Sequence, residues 1–401
     1  MALTLFFSNE KKNWKLYWNR TLIFLFIATY FLGGITRYKH LIVILMTITT
    51  IVYLCKQPKH YISTFKTFLF GSILFLTIAV LLSLFQTPDL KASLKEINNS
   101  VIENMLLLTI SIPVLLKDEK VEFISKFIFI SFLTSLSLRC LSELVFYIKD
   151  YQSGIMPFTD YRHRSISDSL VFLFPVLLNL WLFKSTKHRI AFIIFSAIYL
   201  FLMLGTLSRG AWLSVLIIGL AWVLMHKKWK MLTVGMIIAA LAATAIFSHK
   251  EMSAKLAFKL NQTDSSYRYG NGTQGSALDL ILENPVIGYG FGNNAYKTVY
   301  NNRAVDYPLW KFRTSIGPHN LALFVWFGTG LLGLAGLLLV YAAIVKETVS
   351  KAFKEGRDSP YNAHMIILLS FFGYFIIRGN VEQIELDNLG ILVGLLLAMK
   401  K

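Results

Sequence analysis

Residues 190–226 read IAFIIFSAIYLFLMLGTLSRGAWLSVLIIGLAWVLMH, and they decide the fold. Two apolar blocks, 190–207 and 211–226, are joined by Ser208-Arg209-Gly210, and each approaches the ~20 residues that carry a helix across a bilayer. Neither block alternates every second residue as a barrel strand does. Lipid offers no partner to open backbone groups, so both are read as spanning helices.

The same pattern runs outward in both directions. The chain has 401 residues, 55% of them hydrophobic and only 15% charged, with a mean hydropathy of +0.57. That is too little charge to cover a soluble domain of this length. Apolar blocks at 21–36, 41–55, 66–85, 99–116, 122–148, 168–183, 190–207, 211–226, 229–248, 319–345, 362–379 and 384–399 predict an all-α membrane protein of about twelve spans. The expected division is 1–248 for spans one to nine, 249–318 for one large external segment, and 319–401 for the last three spans.

Orientation follows from the basic residues of the short connections. With the N-terminus inside, one side collects Lys11, Lys12, Lys15, Arg20, Lys56 and Lys59. It also collects Lys184, Lys187, Arg189, Lys227, Lys228, Lys230, Lys346, Lys351, Lys354 and Arg357. The opposite connections are poorer, with Arg37, Lys39, Lys91, Lys95, Arg162, Arg164 and Arg209. Both termini are then cytoplasmic. This distribution accounts for the formal net charge of +18. No basic stripe interleaved with aromatics stands on a soluble domain, so no nucleic-acid partner is expected. The basic N-terminus precedes an apolar block without a small-residue cleavage site and reads as an uncleaved anchor. Cys55 and Cys140 lie in apolar segments and are expected as buried small hydrophobes.

The external segment is where function is expected, because long connections in compact architectures seldom lack one. Met252, Leu256 and Leu260 recur every four residues beside Lys255 and Lys259, as in a helix lying at the membrane interface. Residues 261–275 read as a turn region, and a short helix through Leu278, Ile281 and Leu282 should stop near Asn284, ahead of Pro285.

Gly317-Pro318-His319-Asn320 closes that segment. Pro318 can begin a helix without losing a needed donor, which puts His319 in the first turn. The partial positive charge there disfavours imidazolium, and a neutral imidazole at the mouth of a membrane cavity suits a general base. Position alone equally fits a histidine that anchors the helix at the headgroups. Nine residues later come Gly330 and Gly333, three apart, which let a helix or a lipid chain approach closely; plain helix packing is the simpler reading.

Taken together, His319-Asn320, the nine-residue gap and Gly330-x-x-Gly333 resemble the pattern H-[NSQ]-x9-G-x-x-G of bacterial O-antigen ligases. Leu207-Ser208-Arg209-Gly210-Ala211 and Asn284-Pro285-Val286-Ile287-Gly288-Tyr289-Gly290 are similar to stretches of the broader ligase and polymerase superfamily of polytopic membrane glycosyltransferases. The resemblance implies a GT-C-like fold in the bacterial inner membrane, with its site facing the periplasm. It implies transfer of a preassembled glycan from undecaprenyl diphosphate to a sugar hydroxyl of lipid A–core oligosaccharide. The reaction would invert the anomeric centre and use no metal or other cofactor. His319 would be the base, with Asn320, Gly330 and Gly333 as its supporting motif.

Negative charge grows on the diphosphate as it leaves, and arginine suits that position because it stays charged and grips phosphate with two prongs. Arg209, at the external end of its span, is the first candidate. Arg268, in Tyr267-Arg268-Tyr269-Gly270, matches the loop arginine that the resemblance implies, although a Gly- and Asn-rich turn separates it from the helix that should follow. Arg162 and Arg164 are further diphosphate candidates, and Arg378, before Gly379-Asn380, is a more distant one.

Other chemistries lack a basis. There is no Walker loop, no HExxH and no CxxC pair. Asp160, Asp264, Asp279 and Glu283 are external acids without a marked pairing. Glu382, Glu385 and Asp387 suit a structural role, a cation or an arginine partner. Related activities stay open: a polymerase that lengthens the glycan, or a transferase that places it on protein. A lipid or solute transporter is the alternative of a different class, and it should show broken helices or related halves, which the sequence does not display.

Overall fold

A computed structural model describes residues 14–261, 268–354, 356 and 358–400. Lys11, Lys12, Asp264, Tyr267 and Arg357 lie outside the described residues. Among those described, all regular structure is helical and there is no strand. Nine helices among the described residues are long and apolar enough to cross a membrane: Thr36–Lys56, Phe68–Phe85, Leu90–Leu115, Val121–Gln152, Arg162–Leu182, Thr186–Gly205, Arg209–His226, Leu321–Lys354 and Ala363–Asn380. The other three apolar blocks form the helices Trp14–Thr29, Trp229–Phe247 and Asp387–Met399. The first of these starts seven residues before the block at 21–36 because Trp14-Lys15-Leu16-Tyr17 is itself helical. The exposed Trp14 and Trp18 there are residues suited to a headgroup region.

The helices group into two compact units. The first comprises 1–48, 118–262 and 348–377. Its helices are tied by hydrogen bonds that would be costly to leave open in lipid. Tyr199 donates to the Leu170 carbonyl (2.9 Å), Ser370 to the Phe172 carbonyl (2.7 Å), and Trp222 Nε1 to Asn179 Oδ1 (2.8 Å). At one end Arg20 grips Glu119 with two prongs of 2.6 and 2.8 Å, under the Phe123 ring at 4.1 Å. Both charges are buried, and each requires the other. The helix expected through Met252, Leu256 and Leu260 is present as Lys250–Asn261. Leu256 is buried against Phe158 and Leu207, and Lys255 and Lys259 stand over the Tyr161 ring at 4.7 and 4.8 Å.

The second unit comprises 49–117, 263–347 and 378–401. Asp387–Met399 is almost wholly buried in it. Gly390 and Gly394, four apart, put its backbone against the carbonyls of Asn104 and Leu108, leaving no room for a side chain. The surface it meets is unusual, because Ile97–Leu107 is wound as a π-helix. Cys55 differs from expectation: it is exposed, whereas Cys140 of the first unit is buried.

The sequence shows no broken spanning helix, but the structure has one. Leu321–Lys354 opens at Gly330, where φ is 62° and ψ −161°. Residues 286–290 fill the break, a different job from the helix packing that Gly330-x-x-Gly333 suggests. Tyr289 N–H donates to the Phe327 carbonyl (2.9 Å), Gly290 N–H to Gly328 (3.0 Å), and Leu331 N–H to Val286 (3.1 Å). Trp326 Nε1 adds a bond to the Pro285 carbonyl at 2.9 Å. The chain's own backbone thus satisfies the groups that the break frees. Beside Gly333 the nearest side chain is Thr329 of the same helix.

Contacts within each unit also sort the connections by end. In the second unit Glu96 binds Asn293, Asp89 binds Asn294, and Arg268 binds the Val381 carbonyl, which joins 86–98, 268–318 and 380–386 at one end. Lys117 with Thr64 and Lys400 with Glu347 mark the other end. In the first unit Lys228–Asp358 and Lys15–Asp118 lie apart in the chain from Arg162–Asp150 in the same alternating sense.

Candidate active site

His319 stands just outside the helix rather than in its first turn. The chain turns through two left-handed residues, Gly317 (φ 86°) and His319 (φ 48°), on either side of Pro318. The helix then begins at Leu321. Asn320 is its cap: the side-chain oxygen accepts from Leu323 N–H at 3.1 Å, a role in which asparagine outranks proline-led starts. The expectation that the helix dipole acts on the imidazole from within the first turn is corrected accordingly. A left-handed φ at a bulky residue is strained and persists only where the surroundings impose it.

A carboxylate holds the imidazole. His319 Nδ1 lies 3.1 Å from Glu382 Oε2, with the two side chains 24% and 10% exposed. Glu382 follows a tight turn in which its N–H and that of Val381 donate to the Arg378 carbonyl (2.8 and 2.9 Å). Three consecutive residues of that turn serve the same cluster. Asn380 Oδ1 accepts from Asn320 Nδ2 (3.2 Å), and its carbonyl accepts from Gln274 Nε2 (2.8 Å). The Val381 carbonyl accepts from Arg268 Nη1. Gln274 Nε2 also donates to the His319 carbonyl at 3.2 Å.

Arg268 is therefore brought to the segment that positions His319. The Gly- and Asn-rich turn after it does not carry it away from the next helix. Gln274 and Gly275 N–H both donate to the Arg268 carbonyl (2.9 Å each), so Arg268 sits at the start of Thr273–Glu283. That helix begins earlier than the turn composition of 261–275 suggests and ends at Glu283, as Pro285 requires.

The rest of 268–318 is held by side-chain contacts. Trp310 Nε1 donates to Asp279 (2.8 Å) and its ring stacks on Tyr307 at 4.3 Å. Glu283 accepts from Arg303 (2.6 Å), Tyr289 (3.2 Å) and Tyr307. Burial pushes the Glu283 carboxyl up, but these hydrogen bonds and the Arg303 charge outweigh it and hold the group below its usual 4.5. A folded value below the unfolded one means the stabilisation is complete above that usual value and is lost as pH falls through the folded one. The melting temperature of the native chain should fall more steeply than that of Glu283→Gln from about pH 5 to 3; parallel slopes would show that the cluster adds nothing.

Arg209, Arg162 and Arg164 belong to the first unit. Arg209 heads Arg209–His226, two residues after Leu207, which is in a left-handed conformation (φ 49°). A cation at a helix N-terminus opposes the helix dipole, so the residue and the N–H groups beside it share a preference for an anion. Arg162 is exposed and pairs with Asp160 (2.9 Å) and Asp150 (3.7 Å). Its loop is fixed by a buried cluster not foreseen from the sequence. His163 meets Glu143 at 2.6 Å and Asp150 at 3.3 Å, Arg139 meets Glu143 at 3.4 Å, and the Tyr147 ring stacks on His163 at 3.6 Å. Arg378 is buried in the turn that carries Glu382.

Comparison with known proteins follows the same residues. The O-antigen ligase family model matches 191–338, a stretch that includes Arg209, Arg268, His319 and Gly330. A curated O-antigen ligase of Salmonella typhimurium strain LT2 is 52% identical over 401 residues, covering 99% of each chain. Sharing more than half its residues with that ligase from end to end, the chain belongs to the O-antigen ligase family.

Proposed function

We propose that this protein is an O-antigen ligase of the bacterial inner membrane. It moves a preassembled O-antigen glycan from undecaprenyl diphosphate to a sugar hydroxyl of lipid A–core. The arrangement is GT-C-like, with twelve spans, 249–318 as the large periplasmic segment between spans nine and ten, and both termini cytoplasmic. The observation that carries the reading is the 3.1 Å approach of Glu382 to His319 Nδ1, with Arg268 and Gln274 anchored on the same short turn.

The chemistry follows from that pairing. With Glu382 ionised, Nδ1–H donates to it, and the lone pair stays on Nε2. The acceptor hydroxyl oxygen attacks the anomeric carbon from the face opposite the diphosphate and gives its proton to Nε2. The bond from that carbon to the diphosphate oxygen breaks, and its electron pair leaves with the diphosphate, so the centre inverts. Arg268 and Arg209 stabilise the growing negative charge, helped at Arg209 by the adjoining helix N-terminus. Arg164 completes this group, whereas Arg162 is occupied by its two aspartates and supports the loop.

Arg268→Lys or Arg209→Lys replaces a two-pronged guanidinium with a point charge. Each should lower transfer by about 10–100-fold, the worth of a hydrogen bond to a charged group. Cells lacking the protein should display bare core on lipopolysaccharide gels while carrier-linked polymer accumulates. A polymerase would instead leave single repeats on the core. A normal ladder from cells carrying both lysine variants would remove the arginines from the site.

A further inference from the structure

The second unit contains a cavity of about 190 Å³ beside the His319 turn. It shares Leu321 with the helix that His319 precedes and Gln383 with the turn that carries Glu382. Its opposite wall is the π-helical stretch, which contributes Asn99, Ser100 and Asn104, with Glu96 just before it. The π winding, with its i→i+5 repeat, sets Asn99 and Asn104 one above the other, and Ser100 lines the same opening beside them.

The lining has a specific chemistry. No Lys, Arg or His contributes to it, so a phosphate or diphosphate would find no countercharge. Both carboxylate oxygens of Glu96 already accept from Asn293, through its N–H (2.8 Å) and its side-chain amide (2.7 Å), which leaves them poorly suited to a cation. The rest of the polar lining is neutral amides, a hydroxyl and the Glu385 carboxylate, with Ser100 Oγ donating to the Glu96 carbonyl (3.0 Å) and Asn104 Nδ2 to the Asn99 carbonyl (2.7 Å), beside the rings of Phe291 and Phe324, whose centroids lie 5.3 Å apart. Amides and carboxylates match hydroxyl groups that both donate and accept, and aromatic rings match the C–H face of a pyranose. A volume of about 190 Å³ leaves room for a sugar ring.

We propose that this cavity is a sugar subsite, holding the single pyranose next to the reacting centre. The inference rests on the ligase reading for the identity of the sugar-bearing lipids. That ring comes either from the acceptor's core or from the donor's glycan, and the chemistry is the same for both.

The test is site-directed protection. Ser100→Cys is made in a Cys55→Ser background, because Cys55 is exposed and Cys140 buried, and the purified protein is labelled with a maleimide. Lipid A–core, or undecaprenyl diphosphate-linked glycan, at ten times its dissociation constant should slow labelling about tenfold. Lipid A without core and undecaprenyl diphosphate without sugar should not. Whichever glycolipid protects identifies the source of the ring. Asn104→Ala in the same background should raise the protecting concentration roughly fivefold, the worth of one neutral hydrogen bond. Equal labelling with and without either glycolipid overturns the subsite, as does equal protection by the sugar-free lipids. Glycan transfer is measured in parallel on the Cys55→Ser protein. Protection without transfer would sink the ligase reading and keep the subsite, and transfer without protection would do the reverse.

Discussion

Replacing His319 with alanine should lower the turnover of purified protein by about 10²–10⁴, the usual contribution of a positioned general base. The Michaelis constants for donor and acceptor should shift little, because the imidazole acts on a proton that moves only in the transition state. Glu382→Gln should give a smaller loss. An amide still accepts from Nδ1–H and keeps the ring in place, but it no longer stabilises the imidazolium formed as the hydroxyl is deprotonated. This pair of variants separates catalysis from anchoring. A histidine that merely fixes the helix at the headgroups would, on replacement, reduce the amount of inserted protein and leave turnover per molecule unchanged. Full turnover in His319→Ala would end the base assignment.

Gly330→Ala should be strongly destabilising. At φ 62° and ψ −161° the backbone occupies a region that only glycine enters without strain. An added Cβ would also collide with the Val286 carbonyl, which is itself bonded to Leu331 N–H at 3.1 Å. Strain of about 1–3 kcal/mol and the lost bonds of the inserted segment act together. The variant should melt well below the native protein in detergent, or fail to accumulate in the membrane. Gly333→Ala carries no positive-φ strain, but its Cβ would press on the buried Thr329 side chain, so a smaller loss is expected there. Equal melting temperatures for the native chain and Gly330→Ala would mean that the break at 330 is not built as described.

The two glycine motifs illustrate what a sequence can and cannot reveal. Apolar length alone located the helices, because a bilayer imposes nearly one solution on an apolar block. It could not show that Gly330 breaks its helix, since a left-handed glycine and a packing glycine are the same letter. Asn284–Gly290 and Gly330 were both legible as motifs of one family, but their mutual hydrogen bonds belong to tertiary structure. His319 was found through its neighbours in the chain, whereas Glu382, 63 residues further on, was one of several acids near a turn. Only the fold selects it. Pro318 misled for a local reason: it suits the start of a helix, but Asn320 caps better and takes that place. The π-helical winding at 97–107 has no composition signal, so the cavity it helps to line was invisible before the structure.

The most direct test of the account is a reaction of three purified components: this protein, undecaprenyl diphosphate-linked O-antigen, and lipid A–core, with a metal chelator present and no nucleotide. The account predicts that glycan appears on the lipid A–core and that undecaprenyl diphosphate is released in equal amount, with the anomeric configuration inverted. No product, a product only when metal or nucleotide is restored, or retention of configuration would contradict it.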